Sequence, residues 1–224
     1  MRPLTEEEHS WLTKDSSLTR QTQTVFAKLA SICGNSLKDL IAPLDNSPNA
    51  DRYVFRVQKD PPPSLMRSLQ VAITNVVEIA LRIGVYYVLL SMANLATTVA
   101  RENLLSLGTC LGKMTKTGKF KLHITALPIL AEHSRYKIWI KPSGEMPFLY
   151  GGNIVKAHVG RWTEDTPEHT GIVVFSMDDR PLGFGVTARS TAEARRLAPT
   201  GMVVFRQADA GEYLRDEDSL FSSG

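Results

Sequence analysis

Four lysines close together in the middle of the chain have the type and spacing that most clearly point to chemistry. They are Lys113, Lys116, Lys119 and Lys121. No acidic residue lies between Glu102 and Glu132, and the glycines at 108, 112 and 118 predict a loop. Lysines on a loop and a strand edge could bind phosphate groups or a protein surface. The alternative, a solvated basic loop that binds nothing, is left open by the sequence.

Aromatic and basic residues are concentrated from Tyr136 onward. The aromatic residues are Tyr136, Trp139, Phe148, Tyr150, Trp162, Phe175, Phe184, Phe205 and Tyr213. The basic residues around them are Lys137, Lys141, Lys156, Arg161, Arg189, Arg195, Arg196 and Arg206. Most of the aromatic residues occupy alternating strand positions, so packing in the core is expected for each. The combination also suits RNA binding, because cations bind phosphates and flat rings stack on bases.

Sequence signatures of catalysis and metal binding are incomplete. In Gly108–Met114 the glycines are one residue too close for a phosphate-binding loop, and Met114 replaces the hydroxyl residue that binds magnesium. Asp178 and Asp179 are better explained by a tight turn than by a catalytic carboxylate pair. The histidines are scattered singly, and no His/Cys/Asp/Glu cluster has the spacing of metal ligands. We therefore expect no catalytic residue, no metal and no cofactor.

The composition is that of an ordinary globular protein. The 224 residues are 43% hydrophobic and 22% charged, with a formal net charge of +3 and a sequence pI of about 8.9. This charge permits nucleic-acid binding without requiring it. Two distant cysteines, Cys33 and Cys110, form no disulfide framework and fit a reducing compartment. The uncharged stretch Ile83–Ala100 contains polar residues, so a strand and a helix are expected there, not a membrane span.

Helices and strands are expected to alternate before Tyr136. The predicted helices are one that begins at the Thr5–Glu8 capping box, then Val25–Ile41, Ser64–Arg82 and Leu90–Ala100. The predicted strands are Tyr53–Val57, Val85–Val88 and one through Leu122, Ile124 and Ala126. Pro43 is expected to end the second helix, and Pro128 the last strand.

After Tyr136 the pattern becomes mainly β. The predicted strands are one through Ile138 and Ile140, then Gly171–Phe175, Leu182–Ala188 and Met202–Phe205. A turn at Asp178–Arg180 joins the second strand to the third. Ser190 and Glu193 form a capping box that begins a short helix before Pro199. Gly183 and Gly185 predict a close approach of two backbones.

The residues from Tyr136 to Arg215 resemble a PUA domain, a small RNA-binding β domain. The matching segments are Lys137–Pro142, a glycine-bearing helix at Phe148–Lys156, Gly160, Gly171–Met177, Pro181–Val186, Val203–Arg206 and the ending Gly211–Arg215. The resemblance implies an α+β protein of two domains. Residues 1–135 would form an N-terminal α/β sandwich-like domain, and residues 136–224 a PUA β pseudo-barrel with a short acidic tail.

Two more motifs narrow the resemblance to the eukaryotic Nip7-type family of large-ribosomal-subunit biogenesis factors. They are Met1–Glu8 and Ser106–Lys113, the latter continued by Lys119–Thr125. The resemblance implies a non-enzymatic factor for 60S subunit assembly and pre-rRNA processing in the nucleus and nucleolus, with some in the cytoplasm. Its partners would be single-stranded or irregular pre-rRNA and other assembly factors of the pre-ribosome. No membrane contact is implied, and the protein would be a monomer.

Two segments of the N-terminal domain, near 9–23 and 61–84, depart from the family pattern. Each could be a genuine insertion or translated intron, and the sequence leaves both readings open. A real second insertion must pack its apolar helix or expose it.

The PUA resemblance places RNA contacts on the glycine-bearing helix and the last strand. It implies phosphate contacts from Lys156, Arg161 and Arg206, with stacking or hydrogen bonding by His158. Lys113, Lys116 and Lys119 would add RNA or partner contacts. Two alternatives stay open: an RNA-modifying enzyme, because PUA domains often accompany such enzymes, and a protein-binding scaffold whose basic residues are merely solvated.

Overall fold

The computed structural model describes residues 16–41, 51, 53–58, 84–99, 107–115 and 117–215. Before residue 136, its helices are α1 (Ser16–Cys33), α2 (Leu90–Ala96) and α3 (Leu127–His133). The strands are β1 (Tyr53–Gln58), β2 (Gly84–Leu89), β3 (Thr109–Met114) and β4 (Phe120–Leu122). The 3₁₀ helices Gly34–Ile41 and Ile124–Ala126 follow α1 and β4. The predicted strands near residues 53 and 85 are thereby confirmed.

The part from residue 136 is mainly β, as predicted. Its strands are β5 (Lys137–Ile140), β6 (Ile154–Val155), β7 (Val159–Trp162), β8 (Gly171–Ser176), β9 (Pro181–Thr187) and β10 (Met202–Asp209). Its helices are α4 (Pro142–Leu149), α5 (Thr191–Ala194) and α6 (Glu212–Arg215). A 3₁₀ turn at Lys156–His158 connects β6 to β7. The last strand is longer than predicted and extends to Asp209.

The N-terminal strands form an antiparallel meander in the order β1-β2-β3-β4. Tyr53 stacks on Tyr87 with ring centroids 4.4 Å apart, and Phe26 of α1 meets Phe55 edge-on at 5.3 Å. The hydroxyl of Tyr87 donates to the carbonyl oxygen of Leu40 at 2.8 Å. A buried tyrosine usually finds such a partner. The aromatic contacts therefore tie the sheet to the helical segment at residues 16–41.

The C-terminal strands form a six-stranded sheet in the order β6-β10-β9-β8-β5-β7. The outermost strands, β6 and β7, are joined only by the turn Lys156–His158, so the two edges meet and the sheet curls into a pseudo-barrel. One buried cluster within it contains Ile138, Ile140, Phe148, Ile154, Ile172, Val174 and Val204. A Cβ at Gly183 or Gly185 would collide with a carbonyl oxygen of β10, which confirms the predicted close approach.

The core of the N-terminal part continues onto one face of the pseudo-barrel. The residues of β8, β9 and β10 in this shared cluster are Val173, Phe175, Phe184 and Ala208. They are buried together with Leu29 and Ile32 of α1. The N–H of Arg135 also donates to the carbonyl oxygen of Ile32 at 3.0 Å, and a Cβ at Gly171 would collide with Ile32. The two parts therefore share one apolar core.

Helix α1 differs from its predicted bounds at both ends. It begins at Ser16, before the predicted Val25, so the polar residues between them join the helix. It ends at Cys33, because Gly34 adopts a left-handed φ of +58°. The predicted continuation of the α-helix to Ile41 is wrong. The apolar residues Leu37, Leu40 and Ile41 lie instead in the 3₁₀ helix Gly34–Ile41.

The predicted strand through Ile124 and Ala126 is wrong beyond Leu122. These two residues lie in a 3₁₀ turn that leads into α3. Pro128 lies in the first turn of α3, where its missing N–H costs no helical hydrogen bond, so it starts a helix and does not end a strand. Leu122, Ile124 and Ala126 are all buried. Their alternation therefore reflected burial and not strand geometry.

Two short-range predictions in the C-terminal part are confirmed. Asp179 adopts a φ of +59° in the turn between β8 and β9, a conformation that Asp tolerates. The hydroxyl oxygen of Ser190 accepts a hydrogen bond from the N–H of Glu193 at 3.4 Å and caps α5.

Other predictions fall outside the described residues. They are the capping box at Thr5–Glu8, the stop at Pro43 and the helix Ser64–Arg82. The helix predicted at Leu90–Ala100 is present as the shorter α2. Within the described part of the chain, no helix is long and apolar enough to cross a membrane.

The pairing of β1 with β2 can be tested by removing residues 59–83, which connect the two strands. Gln58 lies opposite Gly84, so the two ends of that segment lie side by side. Replacing residues 59–83 by an Asn-Gly turn should preserve the meander, because this dipeptide suits a two-residue hairpin. The shorter loop should leave the free energy of unfolding unchanged or raise it by about 1–2 kcal/mol. Urea unfolding of both chains measures this; a large loss of stability would mean that the segment contributes to the core.

Candidate nucleic-acid interface

The first candidate surface is the turn Tyr150–Asn153 between α4 and β6, which we call the glycine turn. Helix α4 begins at Pro142 and ends at Leu149. The predicted helix across Phe148–Lys156 is therefore wrong. Gly151 adopts a φ of +93°, which an α-helix cannot continue, so the paired glycines follow the helix.

The glycine turn is fixed on two sides. The N–H of Gly152 donates to the carbonyl oxygen of Pro147 at 2.9 Å. A Cβ at Gly152 would lie 2.7 Å from that oxygen, so a side chain does not fit there. On the other side, Oδ1 of Asn153 accepts a hydrogen bond from the N–H of Arg206 at 2.9 Å. Asn153 directly precedes β6, so its side chain extends the hydrogen bonding between β6 and β10 by one residue.

A fully buried carboxylate, Asp209, organises the residues beside this turn. Nη1 of Arg206 lies 2.5 Å and Nη2 of Arg215 lies 2.9 Å from its Oδ2. Arg206 also contacts Glu212 at 2.7 Å, and Arg215 donates to the carbonyl oxygen of Leu149. We call these two arginines and two acids the Asp209 cluster. It fastens β10 and α6 to the end of α4 and so holds the glycine turn in place.

Arg206 is the predicted phosphate contact nearest to the glycine turn. A Cβ at Gly151 would lie 3.7 Å from its Cζ. Its side chain is 25% exposed and faces two carboxylates. A phosphate would therefore compete with Glu212 for this guanidinium, and the predicted role stays a prediction.

Lys156 and His158 lie in the turn that closes the pseudo-barrel. The ammonium of Lys156 donates to the carbonyl oxygens of Arg195 at 2.7 Å and Leu197 at 2.5 Å, and so caps the chain after α5. His158 is half-buried and packs against α4, because a Cβ at Gly144 would lie 2.6 Å from its own Cβ. Lys156 therefore connects this turn to the segment after α5, and His158 connects it to α4. The predicted RNA contacts of both residues stay predictions.

Arg161 lies in β7, where it contacts Trp139 and Asp179. Its guanidinium carbon is 3.9 Å from the centroid of the Trp139 ring, and Nη2 is 3.3 Å from Asp179. Trp139 donates from Nε1 to the same carboxylate at 2.5 Å and stacks on Phe175 with centroids 5.8 Å apart. Among the contacts of the described residues, none joins Arg161 to Arg206. Arg161 is thus held by Trp139 and Asp179, whereas Arg206 is held by Asp209 and Glu212.

The second candidate surface is the hairpin β3–β4, which we call the lysine hairpin. Lys113 lies directly opposite Lys121 across the two strands, Lys119 is exposed in the connecting loop, and Lys116 is outside the described residues. Like charges opposite each other destabilise a strand pair. Gly112 lies in β3, opposite Leu122 of β4, and not in a loop as predicted. A Cβ at Gly112 would collide with the carbonyl oxygen of Lys121, so glycine allows the two strands to approach closely.

The loop of the lysine hairpin is closed by its own hydrogen bonds. The N–H of Thr115 donates to the carbonyl oxygen of Lys119 at 2.8 Å, and the N–H of Lys119 donates to Oγ1 of Thr115 at 3.0 Å. Gly118 adopts a φ of +74° in open space. Lys113, Lys119 and Lys121 are thus carried by a hydrogen-bonded hairpin, which lowers the entropy lost when they bind a ligand.

Two exposed aromatic residues of the PUA part, Tyr150 in the glycine turn and Phe205 in β10, were not anticipated. Tyr150 is 73% exposed and Phe205 is 44% exposed. The expectation that every aromatic residue packs in the core is wrong for these two. The two glycines that follow Tyr150 could have indicated its exposure, because glycines provide no side chains to cover the ring.

Neither thiol has the properties of a nucleophile. Burial raises the pKa of Cys33 to about 11. Burial also raises the pKa of Cys110, opposed by a hydrogen bond to the backbone of Gly112 and by the charge of Lys113. Both therefore stay protonated at neutral pH, and a thiol is a poor nucleophile. Among the described residues, no group of three or more His, Cys, Asp and Glu side chains could hold a metal ion.

Comparison with known proteins decides the family. The model described as "UPF0113 PUA domain" matches residues 136–218, and "NIP7/UPF0113, pre-PUA domain" matches residues 16–124. The protein named 60S ribosome subunit biogenesis protein NIP7 from Saccharomyces cerevisiae is 52% identical over 222 residues, which cover 99% of this chain and 100% of that protein. The chain belongs to the NIP7 family.

Other relatives show the same full-length similarity. The NIP7 relative from Schizosaccharomyces pombe is 52% identical over 99% of this chain and 100% of its own length. The one from Tetraodon nigroviridis is 44% identical over 98% of this chain and 99% of its own. The predicted family and the predicted fold, a pre-PUA domain followed by a PUA domain, are confirmed. The boundary between residues 135 and 136 stays a prediction.

Proposed function

We propose that this chain is a non-catalytic assembly factor of the large (60S) ribosomal subunit that binds pre-rRNA. One observation carries the proposal. The similarity to proteins named for 60S subunit biogenesis extends over 99% of the chain and covers both the pre-PUA and the PUA parts. A relative that shares both parts is a better guide to function than one that shares a single module.

RNA binding is proposed for two surfaces. On the PUA part the proposed contacts are Lys156, His158, Arg161 and Arg206, and on the lysine hairpin they are Lys113, Lys116 and Lys119. The PUA part is supported by the glycine turn, where the chain presents little side-chain bulk to a ligand. The hairpin is supported by its unbalanced positive charge, which favours a polyanion.

The proposed partners follow from the same role. An assembly factor acts on the pre-ribosome, so we propose other large-subunit assembly factors as protein partners and the nucleus and nucleolus, with some cytoplasm, as its location. A monomer without membrane contact is part of this proposal. The raised pKa values of Cys33 and Cys110 argue against either thiol acting as a catalytic nucleophile.

A protein-binding scaffold is the second candidate. The observation that favours it is a row of exposed apolar residues, Met92, Leu95 and Val99, on and after α2. Such rows can contact protein partners. A scaffold of this kind would show little dependence on salt or RNA, whereas an RNA-binding factor would show both.

Complementation tests the proposed function. In Saccharomyces cerevisiae cells depleted of their own NIP7, expression of this chain should restore the ratio of 60S to 40S subunits on sucrose gradients. A tagged copy should also sediment with pre-60S particles. An unrelated protein expressed at the same level is the control. The proposal is contradicted if the chain is present at the level of the depleted relative but neither restores the ratio nor sediments with the particles.

A further inference from the structure

The Asp209 cluster is electrically balanced within the fold. Its two arginines, Arg206 and Arg215, face two acids, Asp209 and Glu212. The side chain of Asp209 is fully buried, and those of Glu212 and Arg206 are 16% and 25% exposed. Partly buried charges interact more strongly than charges in water, and salt screens them less. An anion that reaches Arg206 therefore adds a third negative charge to a cluster that has only two positive ones.

The two acids of the cluster differ in their partners. Asp209 contacts both arginines and accepts a hydrogen bond from the N–H of Gly211 at 2.9 Å. Among the described residues, the carboxylate of Glu212 pairs with Arg206 alone, at 2.7 Å from Nη1. Asp209 thus joins β10 to α6 through three donors and cannot leave without breaking that junction. Glu212, in contrast, can leave Arg206 with the loss of a single contact.

The backbone of Glu212 is held beside Arg206 by contacts other than their own ion pair. Glu212 is the first residue of α6, which Arg215 fastens to the carbonyl oxygen of Leu149 and to Asp209. Tyr213, the next residue, packs against the shared cluster of the two parts. The carboxylate is therefore placed in advance, and it accepts from a guanidinium N–H that would otherwise be available to a phosphate oxygen.

We infer that Glu212 is a built-in competitor that restrains anion binding at Arg206: a phosphate engages this arginine only by taking the place of the Glu212 carboxylate. The inference rests on the proposed function as an RNA-binding factor and concerns how that function is regulated. The exchange replaces one ion pair by another, so an isolated phosphate gains little from it. A strand that is also held elsewhere gains more, because its next contact forms at a high effective concentration. Arg206 is thereby reserved for ligands that bind at several places.

Salt dependence distinguishes this exchange from a purely structural role of Glu212. The full chain is titrated with a labelled short oligouridine strand over a series of KCl concentrations. In wild type, the displaced carboxylate takes up a cation while the bound phosphate releases one, so Arg206 contributes little to the log–log slope. Glu212→Gln removes this compensation and should raise the magnitude of the slope by about 0.7, the contribution of one phosphate contact on a single strand. Affinity at low salt should rise roughly two- to tenfold.

Two further variants serve as controls. Glu193→Gln removes the same charge from an exposed position on α5 and should leave the slope unchanged. Arg206→Gln removes the guanidinium for which the two anions compete. Adding Glu212→Gln to Arg206→Gln should therefore change the slope and the affinity no more than Glu193→Gln does. Thermal unfolding of each variant verifies that the fold persists.

The outcomes distinguish this inference from the proposed function. Absence of binding by both the folded wild-type chain and Glu212→Gln contradicts the proposed RNA-binding function, and the inference fails with it. If wild type binds and Glu212→Gln has the same slope and affinity, or binds more weakly, the competition is overturned while the RNA-binding function stands. An equal gain for Glu193→Gln assigns the effect to net charge and overturns the competition as well.

Discussion

A fragment that starts at Ser134 and ends at Arg215 is expected to aggregate or to unfold far more readily than the full chain. It removes the α1 side of the shared core and exposes Val173, Phe175 and Phe184 to water. Burying one such side chain stabilises by roughly 1.5–3 kcal/mol. Exposing three of them costs on the order of 5 kcal/mol, which is comparable with the whole stability of a small domain, about 5–15 kcal/mol.

Solubility, size-exclusion chromatography and urea unfolding of the fragment measure this effect. Co-expression with residues 1–133 is the matched control, and it should recover a soluble complex in which the shared face is covered again. A monomeric fragment that unfolds cooperatively with the stability of the full chain would contradict the shared core. It would make the two parts independent domains.

A large effect of a single polar substitution is expected for Asp209→Ala. The fully buried carboxylate accepts contacts from Arg206 and Arg215 and a hydrogen bond from the N–H of Gly211 at 2.9 Å. Its removal leaves two guanidinium groups beside each other without their shared counter-ion. Loss of one partner of a buried pair costs roughly 3–5 kcal/mol. We expect the lower end of this range in urea unfolding, because both arginines are partly exposed and Glu212 remains.

Asp178→Ala is the matched control for the buried carboxylate. Asp178 also pairs with an arginine, Arg180 at 3.0 Å, but both side chains are largely exposed. Exposed pairs contribute about 0–1 kcal/mol, so this variant should unfold at nearly the same urea concentration as wild type. If Asp209→Ala cost no more than Asp178→Ala, the Asp209 cluster would not hold the glycine turn.

Local sequence signals predicted much of the fold. Alternation located β1, because a sheet with one buried face imposes that pattern, and short apolar runs located β2 and β8, whose residues are mostly buried. The turn at Asp179 and the cap at Ser190 were predictable since each depends on residues only a few positions apart. The alternation through Ile124 and Ala126 failed, because burial alone selects apolar residues in a 3₁₀ turn as readily as in a strand.

The candidate site was less predictable, because its contacts join residues distant in sequence. Lys156 was chosen as a phosphate contact from its residue type and position. Its ammonium donates to the carbonyl oxygens of Arg195 and Leu197, and nothing near Lys156 in the sequence signals this. The exposure of Phe205 depends on how β10 pairs with β6 and β9, which apolar periodicity does not report. In contrast, the lysine hairpin was visible in the sequence, since an acid-free stretch cannot supply local counter-ions.

The most direct test of the account is the binding of the purified wild-type chain to a short uridine-rich single strand at low and at physiological salt. The account predicts binding at low salt that weakens with a log–log slope of about −2 or steeper, the value for three or more phosphate contacts. A folded chain that does not bind the strand at low salt, or that binds with a flat salt response, would contradict it.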